Sequence, residues 1–202
     1  MRTKLGARGL AAIAVLLVAG VLPAAAQQDK QMSAEEKAAM EAWMKYATPG
    51  PKHKLLEPFV GTWSVTTTWW QAPGAPPSTS QGTSENTWVL GGRFLQQKVT
   101  SEMMGQPFEG IGYTGYDNYK KHFVGTWMDS MGTMVMVSSG HADASGKVLT
   151  FTGKIDDVVA GKTVTVREIT RVVDNNHHVF EMYGPDPSGK EFKTMEITYT
   201  RK

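Results

Sequence analysis

From Gly61 to Arg201, apolar and polar residues alternate with a period of two in short runs, and most runs end at a turn signal. That is the pattern of half-buried strands, whose successive side chains point to opposite faces. The runs fall near 61–70, 83–90, 93–103, 108–117, 121–129, 133–139, 147–153, 162–173, 177–184 and 190–201. Their links are turn-like: Gly91-Gly92, Asp117-Asn118, Ser145-Gly146, Asp174-Asn175-Asn176 and the stretch 185–189. Only the Pro- and Gly-rich segment 72–82 is a long loop. About ten strands with short links predict an all-β antiparallel meander. Such a sheet closes into a barrel or splits into a sandwich. The expectation is a closed barrel of about ten strands with one N-terminal helix, over residues 53–202.

One pentapeptide, Phe-Val-Gly-Thr-Trp, occurs twice, at 59–63 and 123–127. In a strand, a Gly and a Trp two positions apart share a face, and the Gly leaves room for a ring or a close backbone. Two matched strand starts therefore deliver Trp63 and Trp127 to one surface.

The N-terminus has a different character. Arg2, Lys4 and Arg8 precede an apolar run at 10–22, and small residues follow at 24–26. This predicts a secretory signal over residues 1–26, cleaved after Ala26. The run is too short to span a bilayer comfortably. The expected product is periplasmic or secreted, with no stable membrane anchor after cleavage. Three of the 21 basic residues lie in this segment, leaving 18 against 19 acidic, a net charge of −1. No basic face calls for nucleic acid. There is no Cys, so stability must come from burial and sheet hydrogen bonds. Residues 27–52 form a helix and a linker. Ser33 with Glu36 is a capping box, and Met40, Trp43, Met44 and Ala47 make one helical stripe, expected to dock on the domain.

Inward faces follow from the alternation. They carry Trp63, Val65 and Trp69; Leu95, Gln97 and Val99, headed by Arg93; Phe123 and Trp127; Met134 and Met136; Val164, Val166 and Glu168; and His178, Phe180 and Met182. Together with Tyr113, the set expected to face a ligand is Trp63, Arg93, Tyr113, Trp127, Met134, Met136, Glu168, His178 and Met182. A ten-stranded barrel can enclose more interior than its own side chains fill, and a partly polar cavity binds ligands. Glu168, if buried, needs a partner or a raised pKa, and Arg93 is the candidate partner.

The segments HKLLEPFVGTW, GGRFL, PFEGIGYTGYDN and FVGTWMDSMGT resemble the bacterial domain-of-unknown-function 1579 family. The resemblance implies a lipocalin-like, fatty-acid-binding-like barrel with no established activity. A more distant likeness runs to the nitrobindins, ten-stranded barrels that hold haem through a His. Their glycine-rich pattern is not matched, and no axial ligand is carried over.

The expected function is non-catalytic binding of a small, mainly hydrophobic ligand, with no cofactor. One alternative is a haem or Cu(I) protein using His178 or the Met cluster at 128–136, since thioethers suit Cu(I). Another is a structural or interaction module with a filled barrel, because Met also fills irregular cavities. Asp129 and Ser130 hint at hydrolysis, but no His is placed by sequence to activate Ser130, and no nucleophile elbow or phosphate loop is present.

Overall fold

In the computed structural model, which describes residues 32–202, ten strands form a closed antiparallel barrel. They are β1 (Gly61–Trp69), β2 (Ser78–Val89), β3 (Phe94–Met103), β4 (Gln106–Asp117), β5 (His122–Asp129), β6 (Met136–Ala142), β7 (Val148–Asp157), β8 (Lys162–Val172), β9 (His177–Pro185) and β10 (Glu191–Arg201). Each strand pairs with the next, and β1 closes the circle on β10 from Trp63 opposite Arg201 to Trp69 opposite Met195. Closure leaves no unpaired sheet edge. The expected signal segment lies outside the described residues.

Two strand starts differ from the sequence reading. β2 begins at Ser78, because its polar start STSQ pairs with Thr66–Trp69 though it carries no apolar signal. β6 begins only at Met136, and residues 130–135 form the loop before it. At the tight β9–β10 link, Gly189 takes a φ of 87°, a conformation that favours glycine.

The element the sequence did not announce is a 3-10 helix, η1 (His53–Phe59). It closes one end of the barrel. His53 Nδ1 accepts from Gly50 N–H at its start, and Leu56 and Phe59 enter the interior against Leu95, Phe123, Leu149 and Phe151. The Phe59 carbonyl accepts from both Trp63 Nε1 and Asn86 Nδ2, each at 2.9 Å. Arg201 donates to the Val60, Pro58 and Asn175 carbonyls and lies 4.1 Å over the Trp63 ring. This end is the floor; the other is the mouth.

The N-terminal helix α1 (Ala34–Ala47) is present with its capping box, but the expected docking of its stripe is overturned. None of its residues is buried: Met40, Trp43 and Met44 are 52%, 63% and 56% exposed. Side-chain bonds from Asn118 to the Tyr46 and Thr48 carbonyls tie its end to the barrel. No described helix is long and apolar enough to cross a membrane.

Candidate functional site

Residues opposite one another in a ladder share a face, so the registers fix which side chains look inward. Trp63, Trp127, Met136, Glu168, His178 and Met182 all do. Three expected residues do not. Tyr113 lies between the inward Gly112 and Thr114, so it faces out, where its hydroxyl accepts from Gln96 Nε2 at 2.7 Å. Arg93 is exposed in the β2–β3 turn, its guanidinium donating to the Leu90 carbonyl, and it does not partner Glu168. Met134 sits in the loop before β6, 38% exposed, its sulfur accepting from Asp156 N–H. The Met cluster is therefore split. Met128 faces outward opposite Ile111, Met131 and Met134 are exposed, and only Met136 is buried inside.

Above the floor lies an internal cavity of about 90 Å³. Leu56, Phe59, Leu149 and Phe151 line its apolar side; Gln97, Thr114, Thr170, His178 and Tyr199 bring polar atoms. The polar groups form a chain. Gln97 Nε2 donates to Tyr199 Oη at 3.3 Å and to Ser84 Oγ at 3.0 Å; Ser84 Oγ donates to Asn86 Oδ1 at 2.8 Å; Asn86 then donates to the Phe59 carbonyl. Burial pushes the Tyr199 phenol up to about 12, so it stays protonated, and its proton has no acceptor among the described residues. Sequence reasoning missed this chain. Its signal was the Ser84-x-Asn86 alternation opposite the face of Gln97.

His178 is the unusual member. Its ring stacks on Tyr199 at 4.0 Å and meets the edges of Trp63 at 4.3 Å and Phe59 at 5.1 Å. Burial, with Arg201 nearby, pulls its pKa down to about 3, so the imidazole is neutral. Its Nδ1 is buried with no hydrogen-bond partner. An orphaned buried polar atom of this kind costs about 1–3 kcal/mol.

Toward the mouth the interior is only half-buried, and Trp69, Val99, Trp127, Glu168, Met182 and Met195 line it. Trp127 lies flat over Gly110 and Gly112, where a Cβ would run into the ring, and its Nε1 donates to Asp129 at 2.9 Å. Burial raises the Glu168 pKa, and the nearby Ser138 hydroxyl pulls it partly back. A larger depression, about 470 Å³, lies on the outer wall beside Val135 and Val137. Lys154 is the one ionisable group lining it, so the convergent chemistry is inside.

Haem does not fit this interior. His178 is packed against three rings and reaches the cavity only at its edge, and 90 Å³ is far below the roughly 300–1,000 Å³ of sites for drug-sized ligands, so a macrocycle has no room to reach its nitrogen. Among the described residues no group of three or more His, Asp and Glu converges as for a metal ion.

Residues 48–201 match the family described as Protein of unknown function (DUF1579). The crystal structure of Rv2717c from M. tuberculosis is similar in fold, with 14% identity over 77% of this chain and 99% of that one, at a TM-score of 0.56. A redesigned beta barrel overlaps less well, with 16% identity, the same coverages and a TM-score of 0.37. So does EF1p2_mFAP2b bound to DFHBI, with 10% identity over 75% and 99% and a TM-score of 0.41. No curated protein matches the chain.

Proposed function

The chain belongs to the DUF1579 family, and from that premise we propose that it is a non-catalytic binding protein, periplasmic or secreted, that takes a small, mainly apolar molecule into its barrel. One observation carries this reading: the buried Nδ1 of His178 lacks a partner at the wall of an internal cavity. A ligand polar atom would satisfy it. The unassigned Tyr199 proton offers a second anchor, and Leu56, Phe59, Leu149 and Phe151 take the apolar body. Few polar groups among apolar ones are what fix a ligand's orientation in such sites. The size sets the class: the cavity alone holds a few heavy atoms, and a longer body extends into the half-buried mouth.

Catalysis has less support. Ser130 Oγ accepts from Glu109 N–H and, among the described residues, bonds to no base, while Asp129 is held by Trp127 and Met131. The secretory part of the reading rests on residues 1–26 and is checked by N-terminal sequencing from the native host, expected to begin at Gln27.

The binding test is a titration with hexan-1-ol, followed by tryptophan emission. Saturable binding is expected, weakened about tenfold in His178→Phe, roughly the worth of one hydrogen bond. A wild-type protein that takes up no apolar probe and carries no co-purifying molecule by native mass spectrometry would be a filled module instead.

A further inference from the structure

Building on the binding reading above, we propose that the ligand carries a nitrogen cation, such as an ammonium head, that pairs with Glu168 inside the barrel. Glu168 stands on β8 opposite Phe151 of β7 and Met182 of β9, all facing inward. Thr170, two residues along the same face, and Phe151, opposite Glu168, line the cavity, so Glu168 stands just beyond its lining on the mouthward side. On the same inner face Ser138 stands opposite Gly153, which has no side chain to intervene between it and Glu168. A carboxyl in such a place needs a counter-charge or a proton.

The protein supplies no counter-charge there. Among the described residues the strand cations look outward: Lys98, Lys154, Arg167, Arg171 and Lys193 occupy outer positions of their ladders, Lys193 being paired with Glu181 and Glu196. Arg167 is spent on Glu191 at 2.6 Å, and Arg171 lies 3.4 Å from Glu181. Lys162 lies at the rim opposite Asp157. Arg201 is inside, but at the floor, committed to three carbonyls. A second carboxylate, Asp129, faces inward near the mouth and is bonded only to N–H groups. The mouthward interior is thus acidic in sign and walled by Trp69, Trp127 and Met182.

That combination discriminates by charge. An anion entering here would meet two carboxylates and no cation. A neutral molecule would leave Glu168 uncompensated. A nitrogen cation would meet a half-buried carboxylate and aromatic faces, both of which attract it once the ligand displaces water.

The test uses three probes with one alkyl body: hexylamine, hexan-1-ol and hexanoate, titrated into the full chain at neutral pH by calorimetry and tryptophan emission. Hexylamine is expected to bind about tenfold more tightly than hexan-1-ol, with hexanoate weakest. Glu168→Gln keeps the shape and removes the charge. It is expected to erase the amine's advantage and leave hexan-1-ol within about twofold. If hexan-1-ol or hexanoate matches hexylamine in the wild type, the cation assignment falls while the binding reading survives. If none of the three binds, the binding reading itself falls. A Glu168→Gln variant that keeps the full amine preference also overturns the proposal, and if that variant does not fold, the wild-type order of the three probes decides.

Discussion

The two copies of Phe-Val-Gly-Thr-Trp end at opposite ends of the barrel. Both phenylalanines, Phe59 and Phe123, pack in the floor core, 6% and 1% exposed. The tryptophans part company. In the first copy Phe59 ends a 3-10 helix and the strand begins at Gly61, so Trp63 is at the floor, 1% exposed, bonded to a carbonyl and covered by Arg201. In the second copy β5 has begun at His122, so four further residues along the strand carry Trp127 toward the mouth. There it lies half-buried on two glycines, with its N–H on a carboxylate. The same five letters make a plug in one place and a wall in the other. What differs is where the strand starts relative to the motif, and that is set by η1.

Substituting each tryptophan by Ala should separate these roles most widely. Trp63→Ala removes a fully buried ring and orphans half of the Phe59 carbonyl's bonding, and it should lower stability by about 3–5 kcal/mol. Trp127→Ala should cost less than half as much, because its ring already meets solvent. Urea unfolding of both variants checks this, and equal losses would erase the distinction between floor and mouth.

Acid should attack the floor first. The His178 pKa falls from 6.5 to about 3 on folding, and burial also lowers that of His53. Between these limits the unfolded chain binds protons that the folded chain refuses. Stability is therefore flat above pH 6.5 and falls as pH drops below it, by about 2 kcal/mol for His178 by pH 5. Glu168 acts in the opposite sense. Its folded pKa is raised, so its stabilising contribution is full below 4.5 and is lost as pH rises through the folded value. His178→Phe should flatten the acid limb and Glu168→Gln should steepen it, as read by unfolding midpoints from pH 7 to pH 5.

The barrel was legible because alternation, short turns and strand number all constrain it together. The inward set was legible only where the inward residue was large. In β4 the inward positions are Gly110 and Gly112, emptied to seat Trp127, so the neighbouring Ile111 and Tyr113 took on the look of the apolar face. Period-two glycine opposite a Trp was the signal that reverses this parity. Met134 was misplaced because MGTMVM alternates like a strand before it pairs like one. Arg93 was assigned by counting back from Leu95 into what is a turn. The floor helix HKLLEPF has too few residues for a helical period and carries Pro58, so nothing local separates it from a lead-in. Its role depends on Asn86 and Trp63, which meet its last carbonyl only after closure.

The glycine seat gives a finer probe of the mouth. Gly110→Ala places a methyl where the far end of the half-buried Trp127 ring lies, so the ring is the group that must shift. The cost should stay near the low end for overpacking, about 1 kcal/mol. The Trp127 emission should shift at the same time, and unchanged emission would mean the ring is not the group that yields.

The smallest effect on stability, and the sharpest on function, is expected from Trp127→Phe. Phenyl keeps most of the apolar contact over Gly110 and Gly112, so the volume lost is modest and stability should fall by under about 1 kcal/mol. The substitution also deletes the N–H that binds Asp129 Oδ2, leaving that carboxylate held by Met131 N–H alone. A freed carboxylate beside the mouth strengthens the acidic field an entering cation meets, while a smaller ring offers it a weaker face, since Trp is the best of the cation–π partners. The two changes oppose each other for hexylamine but not for hexan-1-ol, which loses only contact area. Hexan-1-ol should therefore weaken more than hexylamine does in Trp127→Phe. The matching change at the floor, Trp63→Phe, should cost more stability and leave the ratio of the two probes as in the wild type. If the probe ratio moves in Trp63→Phe and stays fixed in Trp127→Phe, the ligand path runs past the floor tryptophan, and the assignment of the two ends is reversed.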